Sequence, residues 1–266
     1  MKKFFTILAM FVFFCSNAFA KEEIEFQNPQ AGVYIFKINT KKYGDKIKPY
    51  MSTKLKTPRR IYKDNCVHLV VNGGFFDMEN GKSVSYVVIN NEEVSEINKN
   101  ITFLEQIKSE NRLENVLNRG ELRILENKRG KLKFDIAFHN DPVKKGYKIK
   151  HSLQAGPIML PTMDLVQEGF VKYEEGMVKF QSADVLKRRE RTAIGLKGKY
   201  LYIILFTKEH KADINELKNY IQKELKIKRA LAFDGGLSTA FNYKNLSVGS
   251  VGKYQRRVKS FLIIER

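Results

Sequence analysis

Cysteine is almost absent from this chain of 266 residues, which contains only Cys15 and Cys66. Cys15 lies within an N-terminal segment that we expect to be removed, and this leaves one thiol. A single thiol cannot form an intramolecular disulfide, so a hydrophobic core or a bond to another chain must stabilise the fold. Cys66 lies among apolar residues, and this setting predicts a buried, unreactive thiol rather than a nucleophile.

Long apolar runs are equally scarce, and the only one lies at the N-terminus. Two lysines precede an apolar run over residues 4–15, and the alanines Ala18 and Ala20 then form a cleavage pattern. These three parts predict a secretory signal peptide over residues 1–20, with the mature protein exported to the periplasm or secreted. No later run is long enough to predict a stable membrane span after signal cleavage.

Acidic residues are outnumbered by basic ones, 29 Asp and Glu against 48 Lys and Arg, so the formal net charge is +19. A basic surface favours anionic partners. The basic residues are scattered along the chain and no nucleic-acid-binding motif is present, so no nucleic-acid partner is expected. Two interpretations stay open: the protein binds a charged surface glycopolymer, or the lysines form a solvated face. No feature predicts an oligomeric state.

The remaining chain has no repeat period and no low-complexity linker, so we predict one compact domain. Residues 21–64 are expected to form an N-terminal strand and a basic surface connection, and residues 65–266 the main domain. Strand patterns outnumber helical ones, which predicts an α+β fold with a mixed, strand-rich central sheet and a few flanking helices. The expected strands are residues 31–39, 67–71, 84–94 (a hairpin), 131–140, 152–160, 191–196, 199–207 and 229–233.

Helical patterns are expected at two places. Residues 101–117 have helical spacing of apolar side chains and end at a glycine. Asp213 begins the second helix, and Glu216 three residues later completes a capping box. Together with the strands on either side, this second helix predicts a βαβ-like unit near the C-terminus.

Four short segments place glycine or polar residues at the end or bend of an apolar strand. Such loops, held by a rigid sheet, are where functional sites are usually built. Glycine also permits close approach of the backbone, and successive amides can bind an anion. The segments are Asn72-Gly73-Gly74-Phe75-Phe76, Gly156-Pro157-Ile158, Arg191-Thr192-Ala193-Ile194-Gly195 and Asp234-Gly235-Gly236-Leu237-Ser238-Thr239.

In order and rough spacing these four segments resemble the motifs of the phosphodiester glycosidase family, over about residues 65–264. The resemblance implies a hydrolase that cleaves a sugar-1-phosphodiester at the anomeric carbon. The expected substrate is a carbohydrate phosphate of a surface or extracellular glycoconjugate, and no cofactor is required. The alternative is a non-catalytic envelope or anionic-glycan-binding protein on the same scaffold.

Within the resemblance, Asp234 is the expected catalytic carboxylate, as nucleophile, base or electrostatic stabiliser of an oxocarbenium-like transition state. Arg191 is expected to bind the phosphate through its planar guanidinium. The residues expected to bind substrate are Asn72, Gly73, Gly74, Gly156, Thr192, Gly235, Gly236, Ser238 and Thr239.

Three further side chains are candidates for the site. His139 follows a strand, His151 precedes the Gly156-Pro157 segment, and Asp77 follows the first motif. The histidines have no metal-ligand spacing, so no metal site is predicted from them. Asp77, Glu79 and Asp184 are acids that can supply a second carboxylate or bind a divalent cation, although no calcium-loop spacing is present.

Overall fold

The computed structural model describes residues 24–266, and the predicted signal peptide lies outside the described residues. The strands are β1 (Ile24–Gln30), β2 (Val33–Asn39), β3 (Ile47–Lys56), β4 (Val67–Asn72), β5 (Val87–Ile89), β6 (Glu92–Glu93), β7 (Gly120–Asn127), β8 (Leu132–Phe138), β9 (Tyr147–Gln154), β10 (Ile158–Leu160), β11 (Val171–Glu174), β12 (Met177–Gln181), β13 (Arg191–Lys197), β14 (Tyr200–Phe206), β15 (Arg229–Ala232), β16 (Phe241–Tyr243), β17 (Leu246–Val248) and β18 (Val258–Glu265). The helices are α1 (Thr40–Tyr43), α2 (Pro58–Asp64), α3 (Ile101–Ser109), α4 (Leu113–Leu117) and α5 (Ile214–Lys223).

The strands form three main sheets. Sheet I has the order β1-β2-β14-β13-β15-β10, sheet II the order β17-β16-β4-β18-β3, and sheet III the order β6-β5-β9-β7-β8. Strands β11 and β12 form a separate hairpin. The predicted α+β class and single domain are confirmed. The predicted mixed central sheet is replaced by three sheets, and the strand pairs between residues 24 and 266 are antiparallel.

The predicted βαβ-like unit is present in a modified form. Strands β14 and β15 are both antiparallel to β13, so they run parallel to each other with β13 between them. Helix α5 connects them and begins at the predicted capping box of Asp213 and Glu216. Residues Ile214, Leu217 and Ile221 of α5 are buried against sheet I, as the helical spacing predicts.

Sheet I is buried on both faces, which explains why its central strand β14 is an apolar run without polar alternation. Leu201, Ile203 and Leu205 point into a core that is shared with sheets II and III. Ile204 and Phe206 point to the opposite face, toward α5. The three sheets therefore enclose one common core, and no single sheet is central to the molecule.

Residues 40–64 differ from the predicted surface connection. They form α1, then β3, which pairs with β18 in sheet II, and then α2, whose Ile61 is buried against the outer face of that sheet. The sequence pattern did not predict strand β3, because most of the lysines in this strand lie at its partly exposed positions. Strand β2 pairs with β14 along its whole length.

Three smaller expectations are also settled. The hairpin at residues 84–94 turns at Asn90 and Asn91, which have φ of 53° and 70°. The helix expected over residues 101–117 is two helices, separated at Asn111, which has φ of 54°. Cys66 is exposed between α2 and β4, so the prediction of a buried thiol was wrong.

Within residues 24–266 no helix is long and apolar enough to span a membrane.

Candidate active site

The predicted motifs converge where sheets I and II meet. Strand β13 begins at Arg191, beside the ends of β14 and β15, because both neighbours run antiparallel to it. Strand β4 of sheet II ends at Asn72, whose Nδ2 donates to the main-chain oxygen of Asp234 at 2.7 Å. The chain after β4 and the chain after β15 are thus held together, as the sequence predicts.

A cleft of about 620 Å³ opens above this junction. Its walls come from the loops that follow β4, β12, β14, β15 and β17. The residues that line it include Asp234, Gly235, Gly236 and Ser238 from the fourth motif, and Phe75 and Phe76 from the first. A concave site of this size, built from loops on rigid strands, suits a small polar ligand.

Asp234 is the acid of the motifs that reaches this cleft. Burial raises the pKa of its carboxyl to about 6, although the Ser238 hydroxyl, the charge of Arg256 and the Gly235 N–H lower it. The Asp234 backbone N–H donates to the Gly73 carbonyl at 3.0 Å, which fixes the turn. Asp234 is therefore a carboxylate that can change protonation near neutral pH.

Beneath Asp234 lies a buried polar network that does not reach the cleft. The Oδ1 atom of Asn72 accepts from the Thr192 hydroxyl at 2.8 Å and from the Ala240 N–H at 3.2 Å. Thr192 is also 3.2 Å from the Thr239 hydroxyl. Asn72, Thr192 and Thr239 are all buried. These predicted substrate-binding residues support the turn at Asp234.

The first two glycines serve close packing. A Cβ at Gly73 would lie 2.9 Å from the Ser260 main chain, and one at Gly74 would overlap the Gln154 carbonyl oxygen. Their N–H groups donate to the Ser260 carbonyl at 2.9 Å and the Ser260 hydroxyl at 3.0 Å. Neither amide is directed to a ligand, so the predicted anion-binding role is not supported at these positions.

The second pair of glycines lines the cleft, but their amides are also used internally. The Gly235 N–H lies close enough to the Asp234 carboxylate to lower its pKa, and Gly236 donates to the Glu190 carbonyl at 2.8 Å. A Cβ at Gly235 would lie 2.9 Å from that same carbonyl, whereas Gly236 has φ of +56° and open space around it. Ser238 donates its hydroxyl to Asp234. An anion in this cleft must therefore be bound by side chains.

Arg191 is not placed as the sequence predicts. Its Nε donates to the Ala212 carbonyl at 2.9 Å, and its Nη2 lies 2.9 Å, 3.1 Å and 2.5 Å from the carbonyls of Asp184, Val185 and Lys187. Burial lowers the pKa of this guanidinium to about 10. The side chain clamps the loop before β13 from below, and it does not line the cleft.

Gly156 lies behind β15, away from the cleft. A Cβ there would lie 2.6 Å from Glu168, whose carboxylate accepts from the N–H groups of Gly120 and Ile158 at 2.9 Å and 2.7 Å. Burial raises the pKa of Glu168 to about 7. Gly156 therefore gives room to a buried carboxylate that fixes the main chain, and the predicted substrate contact is not found.

The three additional candidates are also outside the cleft lining. His139 stacks on Tyr86, with ring centroids 4.1 Å apart, and its Nδ1 is 3.1 Å from Glu121. The Nδ1 of His151 accepts from the Asn90 N–H at 3.2 Å, and burial lowers the pKa of this imidazole to about 4. Asp77 accepts hydrogen bonds from Glu79 and Asn80 in its own loop and from Asn100, which precedes α3. None of these side chains meets Asp234.

The cleft instead contains charged side chains that the motifs do not include. Arg256, Lys208, Lys211 and Arg189 are basic, and Glu190 is an acid whose Oε1 is 3.4 Å from Lys211. Asp184 is paired with Arg189 at 2.7 Å and with Lys187 at 3.1 Å. In the part of the chain from residue 24 onward, Arg256 forms no ion pair within 4 Å. Its guanidinium is 2.9 Å from the Met78 sulfur and 5.6 Å from the Phe76 ring centre.

These residues had weak signals in the sequence. Glu190 directly precedes the third motif, and Arg256 lies in a basic run between β17 and β18, where nothing local distinguishes it from other surface arginines. Among residues 24–266, no group of three or more His, Cys, Asp or Glu side chains is placed to hold a metal ion. A divalent cation thus remains a prediction from the acids alone.

Solved structures with a similar fold are found by comparison with known proteins. The catalytic domain of zebrafish N-acetylglucosamine-1-phosphodiester alpha-N-acetylglucosaminidase, auto-inhibited by its pro-peptide, is similar with a TM-score of 0.60 and 12% identity, over 91% of this chain and 81% of that one. A protein from Synechocystis is similar with a TM-score of 0.58 and 15% identity, over 91% and 61%.

At these identities the similarity shows a shared fold. No functionally curated protein matches the sequence significantly. The sequence profile of the phosphodiester glycosidases matches residues 65–265, which include all four motifs. The chain belongs to the phosphodiester glycosidase family.

Proposed function

We propose that the protein is an exported hydrolase that cleaves the glycosyl-phosphate bond of sugar-1-phosphodiesters on a surface or extracellular glycoconjugate. One observation carries the proposal: Asp234, with a raised pKa, shares a cleft with the unpaired guanidinium of Arg256. The family supports the reaction class. The predicted N-terminal signal supports export.

The two groups suit the two halves of the reaction. When the bond between the anomeric carbon and the phosphate oxygen breaks, positive charge develops on the sugar and negative charge on the phosphate. Ionised Asp234 stabilises the first charge, and Arg256, with Lys208 and Lys211 on the cleft wall, stabilises the second. The bond's electron pair goes to the phosphate oxygen, and water supplies the new hydroxyl of the sugar. Glu190 is our candidate to accept the proton of that water.

Arg256 takes the phosphate-binding role that the sequence assigned to Arg191. Gly73, Gly74 and Gly236 are not available for it because their N–H groups already have acceptors within the protein. A guanidinium without a carboxylate partner binds a phosphate through two parallel hydrogen bonds. The phosphate site of this protein is therefore expected to be made of side chains.

The test is hydrolysis of a panel of sugar-1-(methyl phosphate) diesters, with release of reducing sugar and methyl phosphate measured together. We expect Asp234→Asn and Arg256→Ala to lower kcat/KM at least 100-fold, because each removes a charge that matters most in the transition state. Asp45→Asn and Arg129→Ala change the same residue types at exposed positions and serve as matched controls. Full activity of both cleft variants would contradict the assignment.

The non-catalytic alternative has a different result in the same experiment. The wild-type protein would bind sugar phosphodiesters or anionic glycan saturably and release no sugar at any concentration. Arg256→Ala would then weaken binding while Asp234→Asn would leave it unchanged or strengthen it, because the carboxylate repels an anion.

A further inference from the structure

A second cavity of about 370 Å³ adjoins the cleft. Phe76, Met78 and Arg256 line both cavities, so these residues form the wall between them. We call the second cavity the outer groove. Its other lining residues are Leu55, Thr57, Tyr254, Gln255 and Arg257.

Because Arg256 lies in the wall between the two cavities, a phosphate bound there has one of its two ester groups on each side of the wall. A phosphodiester joins two groups through one phosphate, and in the proposed function that phosphate is bound at Arg256. The sugar ester then faces Asp234 in the cleft, and the other ester is directed over the shared wall into the outer groove. The outer groove is therefore placed to bind the leaving group.

The outer groove is supported by a rigid turn. The Gly249 N–H donates to the Gly252 carbonyl at 2.8 Å, and the Tyr254 N–H donates to the Val251 carbonyl at 3.0 Å. A Cβ at Gly249 would overlap the Tyr254 carbonyl oxygen, so this position requires glycine. The Tyr254 side chain is 60% exposed at the rim.

The Gln255 amide is used to fix the floor of the outer groove. Its Oε1 accepts from the Arg59 N–H at 2.8 Å, and its Nε2 donates to the Val248 carbonyl at 2.9 Å. This side chain is therefore not free to recognise a neutral hydroxyl group. Recognition must come from the remaining polar residues of the lining.

The charged residues that line the outer groove are all basic. Its lining includes two arginines and no acidic residue, whereas the cleft contains Asp184, Glu190 and Asp234. Arg257 is exposed, and within residues 24–266 it has no hydrogen-bond or ion-pair partner. An exposed, unpaired guanidinium next to a bound phosphate favours a ligand with a second negative charge.

Resting on the proposed function, we propose that the outer groove binds a leaving group that carries a second anionic group, and that Arg257 recognises this group. The substrate class is then a glycosyl phosphodiester whose leaving group bears a further phosphate or carboxylate, as in a polyanionic glycopolymer. Arg257 is a specificity-determining residue of the site, and Arg256 is the residue that contacts the scissile phosphate.

The experiment compares three leaving groups on the same sugar-1-phosphate: methanol, glycerol and glycerol phosphate. We expect the wild-type protein to have about tenfold higher kcat/KM for glycerol phosphate than for glycerol, which lacks the second phosphate. Arg257→Ala should remove this ratio, and Arg257→Lys should retain part of it. Arg129→Ala, at an exposed turn, should leave the ratio at its wild-type value.

Binding of the same three compounds to Asp234→Asn protein, measured by calorimetry, tests the inference without turnover. The same order of Kd supports it even if no compound is hydrolysed, and that outcome overturns only the proposed function. Equal affinity for glycerol and glycerol phosphate overturns the inference. A preference that persists in Arg257→Ala also overturns it, because the overall basic surface would then be its cause.

Discussion

Asp234 and Asp77 follow neighbouring motif turns, but their surroundings shift their pKa values in opposite directions. Burial raises the pKa of Asp234 to about 6. Burial also acts to raise the pKa of Asp77, yet hydrogen bonds from Asn100, from the Glu79 N–H and from Asn80 lower it below the usual range. Of these two aspartates, only Asp234 has a pKa near neutral pH, as the proposed catalytic role requires, whereas Asp77 fixes a loop.

The pKa of Asp234 predicts the pH profile of the proposed hydrolase activity. Because the ionised carboxylate is required, kcat/KM should rise with pH through about 6 and then level off. Initial rates on a sugar-1-(methyl phosphate) diester between pH 4.5 and 8.5 measure this limb. A rate that falls as pH rises through 6 would show instead that protonated Asp234 acts as an acid.

The same group also affects stability. Its pKa in the folded protein, about 6, lies above its ordinary value of 3.8, so folding favours the protonated form. This contribution to stability is present below about pH 4 and is lost as pH rises through 6. Asp234→Asn at pH 7 should therefore melt no lower than the wild type in a thermal scan while losing activity. A marked drop in Tm would mean that the carboxylate has a structural role.

At the scale of elements, the loop between β12 and β13 depends on one buried side chain. Arg191 at the start of β13 donates to carbonyls of Asp184, Val185 and Lys187 in that loop and to Ala212 beyond β14. The loop in turn supplies Arg189 and Glu190 to the cleft. Arg191, the first residue of the third motif, therefore affects the cleft indirectly, because it holds this loop in place.

Replacement of this arginine should cost stability before it affects chemistry. We expect Arg191→Ala to lower the free energy of unfolding by about 3 kcal/mol or more, because several buried carbonyls lose a charged donor. Arg189→Ala, which removes a partly exposed partner of Asp184, should cost less than about 1 kcal/mol. Urea unfolding of both variants measures the difference. An Arg191→Ala protein with wild-type stability and no activity would restore the sequence prediction of phosphate binding.

At the scale of the whole molecule, the family region is not a self-sufficient unit. The matched profile begins at residue 65, but β2 pairs with β14 and β3 pairs with β18. Phe36 and Ile38 of β2 also lie in the common core. Without these strands, two sheet edges and part of the core would face water.

We therefore expect a protein that begins at residue 65 to aggregate or to unfold without a cooperative transition. A protein that begins at Ile24 should melt cooperatively. Circular dichroism on both, at equal concentration, makes the comparison. A soluble, cooperatively folding fragment 65–266 would show that residues 24–64 are a peripheral addition.

Local patterns determined much of this protein from the sequence. Strands such as β2, β4, β13, β14 and β15, helix α5 with its capping box, and the turn at Asp234 follow from the spacing of apolar, capping and glycine residues within a few positions, whereas β3, β7 and β18 were not predicted. These are properties of the chain near each residue, so they are visible without the tertiary fold. The joint occurrence of four motifs also identified the family.

Only the tertiary structure decided which motif residues line the cleft. The amides of Gly73 and Gly74 and the guanidinium of Arg191 look available as donors in the sequence, yet the structure gives them acceptors in distant segments, such as Ser260 and Ala212. Arg256 also lines the cleft, but it lies more than twenty residues after Asp234 in the sequence. It belongs to a basic run in which no local pattern indicates a functional residue. Hydrogen-bond satisfaction and burial are set by non-local contacts, and for that reason the sequence predicts the carboxylate that reaches the cleft, Asp234, but not the arginine that lines the cleft with it, Arg256.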